Sequence, residues 1–196
     1  REEQRAAAPM PNELADRITA LDAAGFVLSA SVEAEIATLD ATEQAAFQGF
    51  IQAGGGYVAL HGADDSLHNW QWYKDAMGGL FVSHPSNAGA FGMNCGSCYW
   101  AELITEDNSN PATQGLPARF PVADELYHFD RKPRPFVHPL LLLNESTYAT
   151  AMGVNSSGAL ENGDHPIVWC RQFDGGRWFV NVLGHNWELW TSTPWF

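Results

Sequence analysis

Residues 40–62 read DATEQAAFQGFIQAGGGYVALHG, and this stretch decides the fold that the sequence predicts. Asp40 and Glu43 have the spacing of a helix capping box, and apolar residues follow at helical intervals. A run of three glycines ends this helix, and the apolar residues 57–60 that come next are typical of a short buried strand. His61 therefore stands at the C-terminal end of a predicted strand, where open α/β sheets bind their ligands.

The neighbouring segments extend this unit into an α/β domain. Residues 12–24 have the apolar spacing of a helix, and residues 26–29 suit a buried strand, so the order strand, helix, strand predicts a mostly parallel sheet. Near the C-terminus, residues 166–172 and 178–183 flank an Asp-Gly-Gly turn and predict a β-hairpin. We expect a single domain over residues 1–196.

Composition limits the classes of function. With 45% hydrophobic residues in 196, the chain can bury one core of ordinary size. Its 10 basic and 23 acidic residues give a formal net charge of -13, which repels nucleic acid and anionic membranes. No apolar run approaches the roughly 20 residues of a membrane span. We expect a soluble protein with neither partner; the sequence leaves open whether it is cytoplasmic, secreted or periplasmic, and whether it is a homo-oligomer.

Cysteine usage does not indicate a metal or redox centre. Cys95 and Cys98 form a C-x-x-C pair among Gly, Asn and Ser, and Cys170 lies in an apolar segment. A zinc site would show a second pair at suitable spacing, and a redox pair would open a helix after a strand. A local disulfide or two free thiols is the favoured interpretation.

Four histidines follow or flank predicted strands beside Gly or Pro, and acids accompany them. Imidazole titrates near neutral pH and acts as a general acid or base, and a neighbouring carboxylate orients it and raises its basicity. The same groups are common ligands of divalent metals. Each also has a structural alternative, because such histidines often bond the backbone and an acid before His-Pro often fixes a turn. The set is His61, His84, His165 and His185, with Asp64, Asp124, Glu125 and Asp164.

Aromatic residues near these groups suggest a sugar-binding surface. Trp70 and Tyr73 follow His61 closely, and Tyr127 alternates with Glu125 so that both share one face of an extended segment. Aromatic faces stack on sugars, although aromatics at helical spacing more often pack in a core.

Five motifs occur in an order that resembles the ThuA-like, or trehalose-utilisation, family. They are GGGYVALHGADD, NWQWYKDAMGGLFVSHP, VADELYHF, GDHPIVWCRQFDGGRWFV and LGH, and the resemblance runs from about Phe26 to the C-terminus. It implies a flavodoxin-like, class I glutamine amidotransferase-like three-layer sandwich. The strand and helix that usually open the family, with a Gly-Phe-Arg-His-like motif, are not visible, so one βα unit is expected to be missing or replaced.

The resemblance also excludes one reaction. Glutamine amidotransferases carry a nucleophilic cysteine in the turn after the central strand, but the matching turn here reads Leu60-His61-Gly62-Ala63. Ser66 is the nearest hydroxyl, and no G-x-S-x-G motif surrounds it. We expect no glutaminase activity.

The resemblance implies an enzyme that processes carbohydrates, as a hydrolase or lyase of keto-glycosides derived from trehalose-like disaccharides. Two alternatives remain: a non-catalytic carbohydrate-binding or interaction module, and a metal-dependent glycan hydrolase. No cofactor is certain, and a divalent metal is possible. The expected catalytic residues are His61, His84, Glu125, His165 and His185, and the expected substrate-binding residues are Asp64, Trp70, Tyr73, Asp124, Tyr127 and Asp164.

Overall fold

The computed structural model describes residues 39–85, 98–148 and 163–192. The predicted helix at 12–24 and strand at 26–29 lie outside these residues. The helices and strands are α1 (Ala41–Gln52), β1 (Gly56–Leu60), α2 (Gln71–Met77), β2 (Phe81–Ser83), β3 (Tyr99–Thr105), β4 (Arg119–Asp124), β5 (His128–Phe129), β6 (His138–Asn144), β7 (Pro166–Phe173), β8 (Gly176–Asn181) and α3 (Trp187–Ser192). Two 3₁₀ turns, His61–Asp65 and Glu145–Thr147, follow β1 and β6.

Helix α1 begins as its sequence predicts. The Asp40 carboxylate accepts hydrogen bonds from the Thr42 and Glu43 amides, and the Glu43 carboxylate accepts one from the Asp40 amide at 2.7 Å. These bonds form a capping box and satisfy amides that would otherwise lack partners at the start of the helix. Phe47 and Ile51 form the buried face, as the helical spacing predicts, whereas Phe50, the third apolar residue of that spacing, is 44% exposed.

The main sheet is mixed and mostly antiparallel, so the prediction of a mostly parallel sheet is wrong. Its six described strands lie in the order β1-β8-β7-β6-β3-β4. Only β1 and β8 pair in parallel, and the other four neighbouring pairs are antiparallel. The α/β character is confirmed, and the three-layer arrangement stays a prediction.

Strand β6 shows why the sequence misleads. Residues 140–143 are four successive leucines, and all are buried. Such a continuous apolar run is typical of a parallel strand covered on both faces. Here β6 is covered on both faces but runs antiparallel to β3 and to β7. The residues of a strand indicate that it is buried, but they do not indicate the direction of the strands beside it.

The C-terminal hairpin forms as predicted. Strands β7 and β8 pair antiparallel from Val168 opposite Asn181 to Phe173 opposite Gly176. The two connecting residues, Asp174 and Gly175, have φ values of 48° and 88°. Positive φ at both central residues matches the twist of a two-residue hairpin, and Asp-Gly tolerates that conformation.

An aromatic core joins the helices to strands β1 and β8. Phe47 of α1 packs edge-on against Tyr57 and Trp178, with ring centroids 5.2 and 6.1 Å apart. Trp70 stacks on Trp72 at 4.8 Å, just before and within α2. This cluster holds β1 firmly against β8, so the ends of both strands lie at a defined place.

A second, two-stranded sheet brings another segment to the same region. Strands β2 and β5 pair antiparallel, with Ser83 opposite His128. His84 follows β2 and Tyr127 precedes β5, so this short pairing sets the two residues side by side. None of the described helices has the length and apolar character required to cross a membrane.

The described cysteines differ in state. Cys98 is disulfide-bonded, and Cys170 is a free thiol in β7. Cys95, the other cysteine of the C-x-x-C motif, lies outside the described residues.

Candidate active site

Three imidazoles surround the carboxylate of Glu125. His84 Nε2 lies 3.2 Å from Glu125 Oε1, while His61 Nε2 and His185 Nδ1 lie 3.4 and 3.5 Å from Oε2. Glu125 itself is only 7% exposed. A buried carboxylate is retained in proteins when charged or hydrogen-bonding groups compensate its desolvation, and here three histidines do so.

The four residues come from four different strand ends. His61 follows β1, and His185 follows β8, whose last residue Asn181 lies opposite Leu60 in the parallel pair. Glu125 follows β4, and His84 follows β2. The parallel pairing of β1 with β8 therefore delivers two of the imidazoles to one edge of the sheet, as expected for an α/β sheet.

His61 is held by its backbone and by its ring. Its φ of 40° lies in the left-handed region, which is uncommon for a residue with a side chain and is concentrated at functional sites. Ring Nδ1–H donates to the Val182 carbonyl at 3.0 Å, which turns Nε2 toward Glu125 and toward the Tyr127 hydroxyl at 3.1 Å. Burial lowers the pKa of His61, but Glu125 and the Val182 carbonyl outweigh burial, and the pKa is raised overall.

Asp124 fixes the segment that carries His185. This carboxylate is fully buried and accepts hydrogen bonds from the backbone amides of Gly184 at 2.5 Å and Asn186 at 2.8 Å. Burial raises the pKa of Asp124, although the two amides oppose that change. Asp124 therefore binds the backbone amides on either side of His185, and Glu125, the next residue in the chain, contacts the three imidazoles. The dipeptide Asp124-Glu125 thus positions His185 and supplies the carboxylate of the cluster.

The Tyr127 phenol is neutral and lies beside His61. Its ring packs on the His61 ring at 4.7 Å and on Phe81 at 4.2 Å between centroids. Burial, and then the negative charge of Glu125, raise the pKa of Tyr127 above the ordinary phenol value. At neutral pH this side chain can therefore donate a hydrogen bond but cannot act as a phenolate.

His84 is the most solvent-accessible imidazole of the cluster. Its side chain is 31% exposed, against 14% for His61 and 16% for His185. Nδ1–H of His84 donates to the Pro85 carbonyl at 3.0 Å, so Nε2 faces Glu125. The Phe81 ring stacks on it with centroids 5.9 Å apart.

The structure does not bring His165 to this cluster. His165 is completely buried, and its Nε2–H donates to the Tyr127 backbone carbonyl at 2.8 Å. Its Nδ1 lies 3.2 Å from both Glu145 Oε1 and the Tyr148 hydroxyl. This hydrogen bond to the Tyr127 carbonyl links His165 to the backbone of the site.

The remaining predicted residues lie in other surroundings. Trp70 and Tyr73 are buried in the aromatic core, at 9% and 1% exposure. Asp164 pairs with Arg134 at 3.0 Å on the surface. Asp64 is buried within the 3₁₀ turn that begins at His61, and burial raises its pKa well above the usual range.

Two residues of the site are absent from the sequence-based set. Phe81 packs on both Tyr127 and His84, and Asn186 donates its side-chain amide to the Ala123 carbonyl at 2.8 Å. The only feature of the sequence that points to Asn186 is its position directly after His185, a candidate catalytic histidine. Phe81 carries no signal of its own, because an apolar strand residue is ordinarily core.

The cluster has the composition of a metal site as well as of an acid–base site. The ligand atoms of His61, Glu125 and His185 all lie within 4.8 Å of one another. Proton transfer to a polar small molecule and coordination of a divalent ion are both chemically open to such a set.

The chain belongs to the ThuA, or trehalose utilisation, family, whose model matches residues 11–196. Two solved structures described as ThuA-like are similar to it. The protein from Bacteroides uniformis is 26% identical, with a TM-score of 0.57 over 76% of this chain and 57% of that one. The protein from Parabacteroides merdae is 22% identical, with a TM-score of 0.58 over 83% of this chain and 63% of that one.

The chain therefore spans about three fifths of the length of these two structures, as the shares of 57% and 63% state. No curated relative matches the chain.

Proposed function

We propose that the chain is an enzyme of carbohydrate utilisation that breaks keto-glycosides by acid–base chemistry at the cluster around Glu125. The supporting observation is the convergence of three imidazoles on one buried carboxylate, at 3.2, 3.4 and 3.5 Å. Membership of the trehalose utilisation family supports a sugar substrate derived from a disaccharide.

The reaction requires one base and one proton donor. When C3 of a glycoside is a ketone, the proton on C2 is acidic, and His84 Nε2 removes it to give an enolate. The enolate electrons then expel the glycosidic oxygen from C1, and that oxygen takes a proton as it leaves. Addition of water across the resulting C1–C2 double bond completes hydrolysis, whereas release of the unsaturated sugar makes the enzyme a lyase.

The roles follow from exposure and charge. His84 is the base because it is the most accessible imidazole of the cluster, and its Nε2 lies 3.2 Å from Glu125 Oε1. Tyr127 is the candidate hydrogen-bond donor to the leaving oxygen, because burial and Glu125 raise its pKa and keep the phenol protonated. The proton that this oxygen takes comes from the His84 imidazolium formed in the first step. The carboxylate also offsets the positive charge of a protonated imidazole after the first step.

The test follows the proton on C2. Purified protein is mixed with 3-keto-trehalose and with 3-keto-glucosides in D₂O, with and without divalent cations, and exchange at C2 and release of the second sugar are followed by NMR. We expect wild type to do both, His84→Ala to lose at least about 100-fold in rate, and Glu125→Gln to be similarly impaired.

His138→Ala is the matched control, since His138 also pairs with a carboxylate, Asp107 at 2.7 Å, but lies apart on strand β6. It should retain the wild-type rate. Keto-glycosides that stay unchanged and show no C2 exchange would overturn the proposal. Sugar binding by calorimetry without exchange, reduced in His61→Ala, would instead identify a carbohydrate-binding module.

A further inference from the structure

We propose that His61, Glu125 and His185 together bind one divalent transition-metal ion. The binding itself stands on geometry alone, while its role rests on the proposed function. The three ligand atoms lie within 4.8 Å of one another and come from three separate strand ends. No other group of three or more His, Cys, Asp or Glu side chains in residues 39–85, 98–148 and 163–192 has this spacing.

Two of the three distances match those between neighbouring ligands of a metal ion. Bonds of about 2.0–2.1 Å to nitrogen or carboxylate oxygen, at a tetrahedral angle, separate two ligand atoms by about 3.3–3.4 Å. His61 Nε2 and His185 Nδ1 lie 3.4 and 3.5 Å from the same Glu125 oxygen. Both nitrogens therefore lie at ligand spacing from one carboxylate oxygen.

The orientation of the His61 ring also favours an ion. Because Nδ1–H donates to the Val182 carbonyl, a neutral His61 turns the lone pair of Nε2 toward the Glu125 carboxylate. The Tyr127 hydroxyl, 3.1 Å from Nε2, can donate to this lone pair, and a cation between Nε2 and the carboxylate, either a proton or a metal, would bind both acceptors. Metal-binding histidines ordinarily donate their other ring N–H to a carbonyl or carboxylate, and the Val182 contact has that form.

The surroundings hold the other two ligands in place before any ion arrives. The amides flanking His185 are tied to Asp124, and Glu125 follows Asp124 directly in the chain. The second oxygen of Glu125 contacts His84 Nε2 at 3.2 Å. This outer contact orients the carboxylate and leaves His84 outside the set of ligands.

The ligand types select the class of ion. Two imidazoles and one carboxylate suit zinc, iron, cobalt or manganese, whereas magnesium and calcium prefer oxygen ligands. Two neutral imidazoles and one carboxylate leave a net positive charge on a divalent site, which can polarise a carbonyl oxygen. In the proposed reaction the ion would polarise the C3 ketone and stabilise the enolate that His84 creates.

The experiment uses the metal alone. The full chain is freed of metal with a chelator, dialysed, and titrated with Co²⁺ and with Zn²⁺ by calorimetry, and Co²⁺ binding is also followed by visible absorption. We expect about one ion per chain, with the absorption of a low-coordinate cobalt site that contains nitrogen. His61→Ala and His185→Ala should each weaken binding at least about 10-fold.

His138→Ala should bind as wild type does, because His138 and Asp107 form a surface pair on other elements. Circular dichroism establishes that each variant is folded, and His185→Gln replaces any alanine variant that is not. Equal binding by wild type and by the folded His61 and His185 variants, or no binding by wild type, would overturn the metal site. Binding without turnover of keto-glycosides would uphold the site and overturn the proposed function. Turnover by the metal-free protein would uphold the proposed function and overturn the ion's role in the reaction.

Discussion

Glu125 is one buried residue that contacts imidazoles lying as far as 124 positions apart in the sequence, from His61 to His185. Its two oxygens contact three imidazoles, and it is 7% exposed. The sequence predicted the three histidines because each follows or flanks an apolar strand beside Gly or Pro, and it predicted Glu125 as one of the acids that accompany them. It could not exclude His165, which has the same local pattern but lies fully buried against Tyr127.

Asp64 is a second buried carboxyl group, but its surroundings in the described structure do not compensate its burial as the imidazoles do for Glu125. It is 1% exposed, and among the described residues neither of its side-chain oxygens has a hydrogen-bond partner. The backbone amide of Phe81 lowers the pKa of Asp64 a little, but its position does not meet the geometry of a hydrogen bond. Burial first, and then the charges of Asp130 and Asp65, raise the pKa of Asp64 well above 3.8, so the carboxyl is protonated over a wider pH range than usual.

We expect Asp64→Asn to stabilise the protein at neutral pH and to remove part of its pH dependence. In the wild type the folded state binds more protons at Asp64 than the unfolded state, so this residue's contribution is greatest below an unfolded pKa near 3.8 and is lost as pH rises toward the raised folded pKa. Urea unfolding of both proteins from pH 4 to 8 measures the difference, which should grow with pH to about 1 kcal/mol or more.

The control is Asp65→Asn, because Asp65 pairs with His68 at 2.8 Å and its side chain is 27% exposed. A half-exposed pair of this kind contributes about 0–1 kcal/mol, so its removal should change the free energy of unfolding only slightly. A stability difference between wild type and Asp64→Asn that shrinks with rising pH would contradict the expected protonation of Asp64.

At the scale of elements, the turn between β8 and α3 sets the position of His185. Gly184 has a φ of 132°, and a Cβ on it would lie 2.7 Å from the Trp190 ring. Trp190 Nε1–H in turn donates to the Gly184 carbonyl at 3.0 Å. The backbone conformation and the close approach of the ring both require glycine here.

We expect Gly184→Ala to lower the free energy of unfolding by about 1–3 kcal/mol, since it combines a strained φ with a steric clash. Gly62→Ala provides the matched comparison. Gly62 follows His61 as Gly184 precedes His185, yet a Cβ there would meet no atom within 4 Å, and its φ is not in the left-handed region. Chemical unfolding of both variants gives the comparison, and equal losses would show that the Gly184 conformation is not required.

The elements that the sequence predicted well are those that local bonds define. The α1 capping box and the β7–β8 turn involve residues at most three apart, so their residue types fix them. Strands β3, β4 and β6 pair with residues that lie 15 to 42 positions away in the chain, from Ile104 opposite Arg119 to Glu102 opposite Asn144. Their apolar residues established burial but could not establish antiparallel pairing.

At the scale of the whole molecule, acidic side chains outnumber basic ones. The formal net charge is -13, and most of the described basic side chains are already paired, such as Arg119 with Glu102 and Arg131 with Asp75. The excess acids therefore repel one another more strongly in the compact folded state than in the unfolded chain.

We expect the midpoint of thermal unfolding to rise by about 2–4 °C when NaCl is increased from roughly 10 mM to roughly 200 mM, because the added ions screen this repulsion. The surface ion pairs lose some strength at the same time, but each contributes only about 0–1 kcal/mol. KCl should act equally, which excludes a specific effect of sodium. A midpoint that falls with either salt would mean that the pairs outweigh the repulsion.

The sequence by itself determined the α/β class of fold, helix α1, the β7–β8 hairpin, and three histidines and one acid that meet in the cluster, because these depend on short-range spacing and on where apolar segments end. Only the tertiary structure decided the direction of the middle strands, the burial of Trp70 and Tyr73 in the core, and the separation of His165 from the cluster. The physical reason is that a side chain's neighbours across a sheet come from distant segments. Their distances depend on how the whole chain packs, which no local pattern records.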